Sequence, residues 1–162
     1  ASPGGPATPA VKPQGLAAPP DLSAMSPRER FDRLYQRVIT AAQQGDQATV
    51  TQFTPMAVAA YQQLDSITVD ARYHLAMLQL HVGNLTGAQA QADTIRTTRP
   101  EHLFGYVIGA AVARWTKQDA TRDQLHREFA ARYDREIATR KTEYLEHQAM
   151  LAEVQKAVTV SR

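Results

Sequence analysis

Residues 68–102, TVDARYHLAMLQLHVGNLTGAQAQADTIRTTRPEH, decide how the chain is read. From Thr68 to Val82 the sequence is apolar nearly all round, with Val69, Tyr73, Leu75, Ala76, Met77, Leu78 and Leu80, so the pattern predicts a helix buried between neighbours. Gly83-Asn84 closes it. Leu85, Ala88, Ala92 and Ile95 then recur at three-and-four spacing, which predicts a second helix with one apolar face, stopped by Pro100. A short turn forces the two helices to lie antiparallel. The small residues Ala76, Ala88 and Ala92 let their axes approach to about 8–10 Å.

A displacement of 38 residues lays Asp32 on Asp70, Tyr35 on Tyr73, Ile39 on Met77, Gly45 on Gly83 and Asp46 on Asn84. The helix-turn signature therefore recurs upstream. Ser26, Pro27 and Glu29 form a capping box with proline at the first helical position, and Phe31, Leu34, Tyr35, Val38, Ile39 and Ala42 make one apolar stripe ending at Gly45-Asp46. The stretch from Asp46 is expected to kink or break at Thr54-Pro55. Downstream, Phe104, Val107, Ile108, Ala111 and Trp115 mark a richly apolar helix over about 101–117. Beyond Asp119 there is no glycine or proline, and Leu125, Phe129, Tyr133, Ile137, Tyr144, Leu151, Val154 and Val158 predict one long amphipathic helix, or two with a joint near Thr139. No segment alternates with period two for long enough to suggest a strand.

Helix pairs repeating with a period in the thirties stack as a solenoid, because a single pair cannot cover its own apolar face. The stretch from about Val69 to His102 resembles a tetratricopeptide repeat, with Leu75 in the first helix, Gly83 at the turn, Ala88 and Ala92 in the second helix and Pro100 closing the unit. It departs from that family at Gln79, where an aromatic residue is usual. The units at 31–64 and 103–133 match more loosely, the first carrying Pro55 inside its second helix and the second carrying Lys117 where a turn glycine is expected. The expected organisation is an all-α, tetratricopeptide-like solenoid: a proline-rich arm over 1–25, a helical repeat domain over 26–138 and a C-terminal capping helix over 139–162. The arm is set apart by Pro3, Pro6, Pro9, Pro13, Pro19 and Pro20, a composition that favours extended chain and buries no core.

Composition narrows the function classes. Eighteen basic and sixteen acidic residues leave a net charge of +2, so the pI near 9.1 reflects a small excess over near-balanced charges and implies no nucleic-acid partner. The mixed charges over 122–143, such as Glu128 with Arg132, read as a solvated helix face. The chain has no cysteine, which removes disulfides and thiolate metal sites. No apolar run reaches the roughly 20 residues that span a bilayer. A start at Ala1 followed by small residues is what removal of a leader or upstream anchor leaves, which points to the cell envelope or periplasm of a bacterium; methionine removal in the cytoplasm is the alternative.

The resemblance implies that the first helices of successive units line a concave groove, placing Asp32, Tyr35, Ile39, Asp70, Tyr73, Met77, Leu80, Phe104, Val107 and Arg114 near a partner segment. These side chains at helical spacing are equally a core, or a groove filled by the chain's own last helix. His74 with His81, Asp123 with His126 and Glu143 with His147 are each spaced to share a helix face, yet they form no matched metal set, and neither a zinc-protease motif nor a di-metal carboxylate pattern occurs. A phosphate loop and a nucleophile elbow are also missing. The sequence thus points to a non-catalytic protein-interaction module without cofactor or metal, an adapter or accessory subunit of a larger assembly that could be membrane-associated. The alternative is a small-molecule- or metal-binding helical domain.

Overall fold

The computed structural model describes residues 21–160, and the described chain is all-helical. The proline-rich arm lies outside the described residues up to position 20, as do the last two positions of the C-terminal segment. Three helix pairs follow one another: α1 (Pro27–Gln43) with α2 (Gln47–Gln62), α3 (Val69–His81) with α4 (Leu85–Thr98), and α5 (Leu103–Trp115) with α6 (Asp119–Ala138). Two further helices, α7 (Thr142–Glu146) and α8 (Gln148–Val160), complete the described residues.

Each pair turns in the same way. Gly45, Gly83 and Lys117 take left-handed φ values of 73°, 75° and 57°. In each turn the following amide reaches back five residues, Asp46 to Ala41, Asn84 to Gln79 and Gln118 to Ala113, closing orphan carbonyls of the finished helix. The same residue then opens the next helix: the side chains of Asp46 and Asn84 accept from the amides of Thr49 and Gly87, while Gln118 holds the equivalent backbone without a side-chain cap. Lys117 thus does adopt the conformation that its position in the repeat calls for, although it is not glycine. At the N-terminus of α1 the capping box forms as expected, with Ser26 accepting from the Glu29 amide and Glu29 accepting from the Ser26 amide.

The pairs stack through their first helices, α1 touching α3 and α3 touching α5, while α2 and α4 meet the first helix of the following unit. Two apolar cores result, and α3 serves both: Ala71, Leu75 and Leu78 face α1 and α2, whereas Tyr73 and Ala76 join α4, α5 and α6. That double burial is what an all-round apolar helix requires. The α4–α5 junction is close because Gly105 has no side chain; a Cβ there would lie 2.7 Å from Cγ of Arg96. Burial of Leu78, Ile95, Leu103 and Ile108, each 0% exposed, stabilises by about 1.5–3 kcal/mol apiece.

Three details differ from the sequence expectation. Helix α2 runs through Thr54-Pro55 without a break, with the Thr54 hydroxyl donating to the Val50 carbonyl at 2.7 Å. The joint expected near Thr139 is present, with α6 ending at Ala138 and Arg140 taking a left-handed φ of 52°, but the segment beyond it is not one capping helix, because an interruption at His147 separates α7 from α8. Trp115, which continues the apolar pattern of α5, stands 63% exposed at that helix's last position.

Candidate functional site

The stacking of first helices brings equivalent positions of adjacent units side by side. Helix α1 contributes Arg28, Asp32 and Tyr35, one turn apart, and α3 contributes Asp70, Tyr73 and His74. Arg28 joins the two: its Nε lies 2.8 Å from Asp32, and its guanidinium reaches Oδ2 of Asp70 at 2.5 Å and the Thr68 hydroxyl at 3.1 Å. Thr68 is itself the N-cap of α3, so the arginine ties the first unit to the start of the second. The Tyr35 ring stacks on His74 with centroids 3.9 Å apart and an interplanar angle of 16°.

His147 comes to this cluster from the other end of the chain. The α7–α8 interruption places its ring edge-on to Tyr73 at 4.8 Å and Phe104 at 5.4 Å. Its Nε2 lies 3.2 Å from Nε2 of His74 and 3.3 Å from Oδ1 of Asp70, and His74 Nε2 lies 3.5 Å from the same oxygen. Burial pushes the Asp70 carboxyl up, but His147, His74 and Arg28 outweigh it and hold the group down at about 2. Burial lowers the His74 imidazole to about 4, the pull of Asp70 only partly opposing it, so His74 is neutral at physiological pH. Burial raises the Tyr73 hydroxyl to about 12 and raises Tyr35 as well, keeping both protonated.

A second polar network lies beside the first and fixes the C-terminal segment. The Tyr144 hydroxyl donates to the Glu136 carboxylate at 2.7 Å and accepts from the Leu103 amide at 3.0 Å, so it serves an orphan amide at the start of α5. His102 accepts from the Phe104 amide through Nδ1, which leaves its Nε2–H to donate to Glu143 at 3.1 Å. Lys141 adds a 2.7 Å ion pair to Glu136. These bonds hold α7 against the start of α5 and thereby aim His147 at α3.

Of the residues expected near a groove, Asp32, Tyr35, Asp70, Tyr73 and Phe104 converge around this cluster, and all but Asp32 are buried. Ile39, Met77, Leu80 and Val107 are half-buried and pack against the two cores, while Arg114 is exposed. The helix-spaced pairs do not act as pairs. His81 is exposed, Asp123 bonds Arg122 at 2.8 Å, and Glu143 and His147 turn to different partners, His102 and Asp70. Sequence reasoning missed Arg28 and the meeting of His74 with His147, which are 73 positions apart. No local signal marks that meeting, since the interruption at His147 carries neither glycine nor proline.

Elsewhere, an open groove of about 740 Å³ runs along the outer side of α1 from Met25 to Gln44. No helix among the described residues is long and apolar enough to cross a membrane. No protein-family model matches the sequence, and no significant match occurs to a curated protein or to a solved structure.

Proposed function

We propose that this protein is a non-catalytic, tetratricopeptide-like interaction module that serves as an adapter or accessory subunit, and that its partner docks at the first helix pair. The observation that carries this reading is the groove along α1. It follows five turns of the helix, with Glu29, Asp32, Arg33, Gln36, Arg37 and Thr40 along its length and Met25 and Ala41 as apolar contacts. Among the described residues α1 packs chiefly on α2 and α3, and a helix at the edge of a stack accepts either a cap or a partner. The other side of the stack is occupied differently: His147, Tyr144 and Leu151 of the chain's own C-terminal segment pack with Tyr73 and Phe104. Among the expected groove residues Asp32 therefore belongs to the docking surface, and Tyr73 and Phe104 hold the fold. Charges of both signs from Glu29 to Arg37, over about 12 Å of helix, suit a helical or extended protein segment of mixed charge.

The test is site-specific photocrosslinking in cell extract from both membrane and soluble fractions. A crosslinker at Gln36 should capture a discrete partner that the same group at Gln124, exposed on α6, does not, and Arg33→Glu should abolish the product. Equal labelling from both positions, or capture insensitive to Arg33→Glu, would remove the support for docking at α1.

A further inference from the structure

We propose that Asp70, His74 and His147 bind one tetrahedral divalent transition-metal ion of the zinc class, which staples the C-terminal segment to the second helix pair. This goes beyond the adapter reading and does not depend on it. The three side chains converge through one oxygen and two ring nitrogens, separated by 3.2, 3.3 and 3.5 Å. Zinc–nitrogen and zinc–oxygen bonds of about 2.0–2.1 Å at tetrahedral angles separate ligand atoms by about 3.3–3.4 Å. A facial set on an octahedral ion, with ligands at right angles, would draw such atoms closer together. The observed triangle fits the tetrahedral ion.

Hydrogen bonding alone does not satisfy this triangle. Each neutral imidazole carries one N–H, which lies in the ring plane and serves one line. If His74 carries its proton on Nδ1, its Nε2 lone pair faces the Asp70 oxygen with only the His147 proton between them. If the proton sits on Nε2, it can serve only one of the other two ligand atoms, and in either tautomer Nδ1 is buried with no hydrogen-bond partner. A cation on the common axis takes all three lone pairs together and fixes the His74 proton on Nδ1. There the Asp32 carboxylate lies 3.8 Å away, on the side where a carboxylate commonly orients a metal-bound histidine but beyond hydrogen-bond length.

The remaining surroundings agree. Arg28 occupies Oδ2 of Asp70, so the carboxylate offers a single oxygen, as a four-coordinate ion requires and as a calcium site of six to eight oxygens does not. His74 is only 8% exposed, and its ring is held by Tyr35 stacked at 3.9 Å, so the ligand is preset. Water would complete the fourth vertex. The ligands come from the middle of the chain and from the α7–α8 interruption, so the ion would close a long loop across the stack.

The experiment uses the full chain, stripped of metal with chelator, then titrated with Zn²⁺ by calorimetry and with Co²⁺ by visible spectroscopy. One equivalent should bind, Co²⁺ should give the intense visible bands of a tetrahedral site, and Zn²⁺ should raise the melting temperature. His147→Ala should weaken binding by at least about 100-fold. His147→Phe keeps a ring against Tyr73 and Phe104 while deleting the ligand, so it serves as the second variant, and His81→Ala should bind as the parent does. A parent affinity no greater than that of either folded His147 variant, or an octahedral Co²⁺ spectrum, would overturn the proposal.

Discussion

Replacing Gly83 with alanine isolates the backbone term in the repeated turn. A Cβ built on Gly83 or on Gly45 meets nothing within 4 Å, so no steric clash enters, and the whole effect comes from holding φ near 75°. An L-residue in the left-handed region costs about 1–2 kcal/mol, and removing a glycine returns about 0.5–1 kcal/mol by restricting the unfolded chain. Gly83→Ala should therefore destabilise by roughly 1 kcal/mol, a fall of about 3–5 °C in Tm for a domain of this size. The same reasoning reverses at the third turn. Lys117 already bears the left-handed strain at φ 57°, so Lys117→Gly should stabilise by about the same amount. Urea denaturation followed by circular dichroism reads both changes as midpoint shifts at constant slope. If the two substitutions shift the midpoint in the same direction, the three turns are not energetically equivalent and the backbone argument fails.

Three further predictions concern the packing around α5. Tyr144→Phe removes the hydroxyl that serves both the Leu103 amide and the buried Glu136 carboxylate, and should destabilise by about 1.5–3 kcal/mol in the same denaturation assay. Gly105→Val places branched carbon where even a Cβ lies 2.7 Å from the Arg96 side chain and 3.3 Å from its backbone nitrogen, so it should force α4 and α5 apart at a cost of about 1–3 kcal/mol, seen as a lower Tm. Burial pushes the Glu136 carboxyl up, but bonds from Lys141 and Tyr144 outweigh it and hold the group below its ordinary value. A carboxylate depressed in the folded state contributes stability above its unfolded pKa and loses it as pH falls through the folded one, so stability measured from neutral to below about pH 4 should drop more steeply for the parent than for Glu136→Gln.

The helix pairs were legible because their signals are local. Ser26 with Glu29, Gly45-Asp46 and Gly83-Asn84 each act within one turn of chain, and the 38-residue offset repeats the pattern. Pro55 misled because a proline inside a helix removes only one internal bond, and Val50, Phe53, Ala57 and Tyr61 are all buried on the same helix, enough to carry it through. The break after Ala138 falls at the joint expected near Thr139, whereas the interruption at His147 left no such mark. Arg140 and His147 are ordinary helix formers by composition, and what breaks the helix there is tertiary: Tyr144 must reach the start of α5, and His102 and Glu136 must find Glu143 and Lys141.

The carboxylate–histidine cluster was half legible for the same reason. The repeat offset placed Asp32 with Asp70 and Tyr35 with Tyr73, which is how the two helices present them, but no offset relates His74 to His147. Burying Asp70 and His74 at the junction of three units carries a desolvation cost that an apolar pair of similar size would avoid. Arg28 offsets part of it by bonding Asp70, and nothing among the described residues bonds Nδ1 of His74. A polar group retained at a packed junction, against the apolar pattern of the helix that carries it, marks a position where something besides packing constrains the residue. Were the cluster only a buried hydrogen-bond network, substituting His74 by leucine would relieve the unpaired nitrogen and leave every measurable property except stability unchanged.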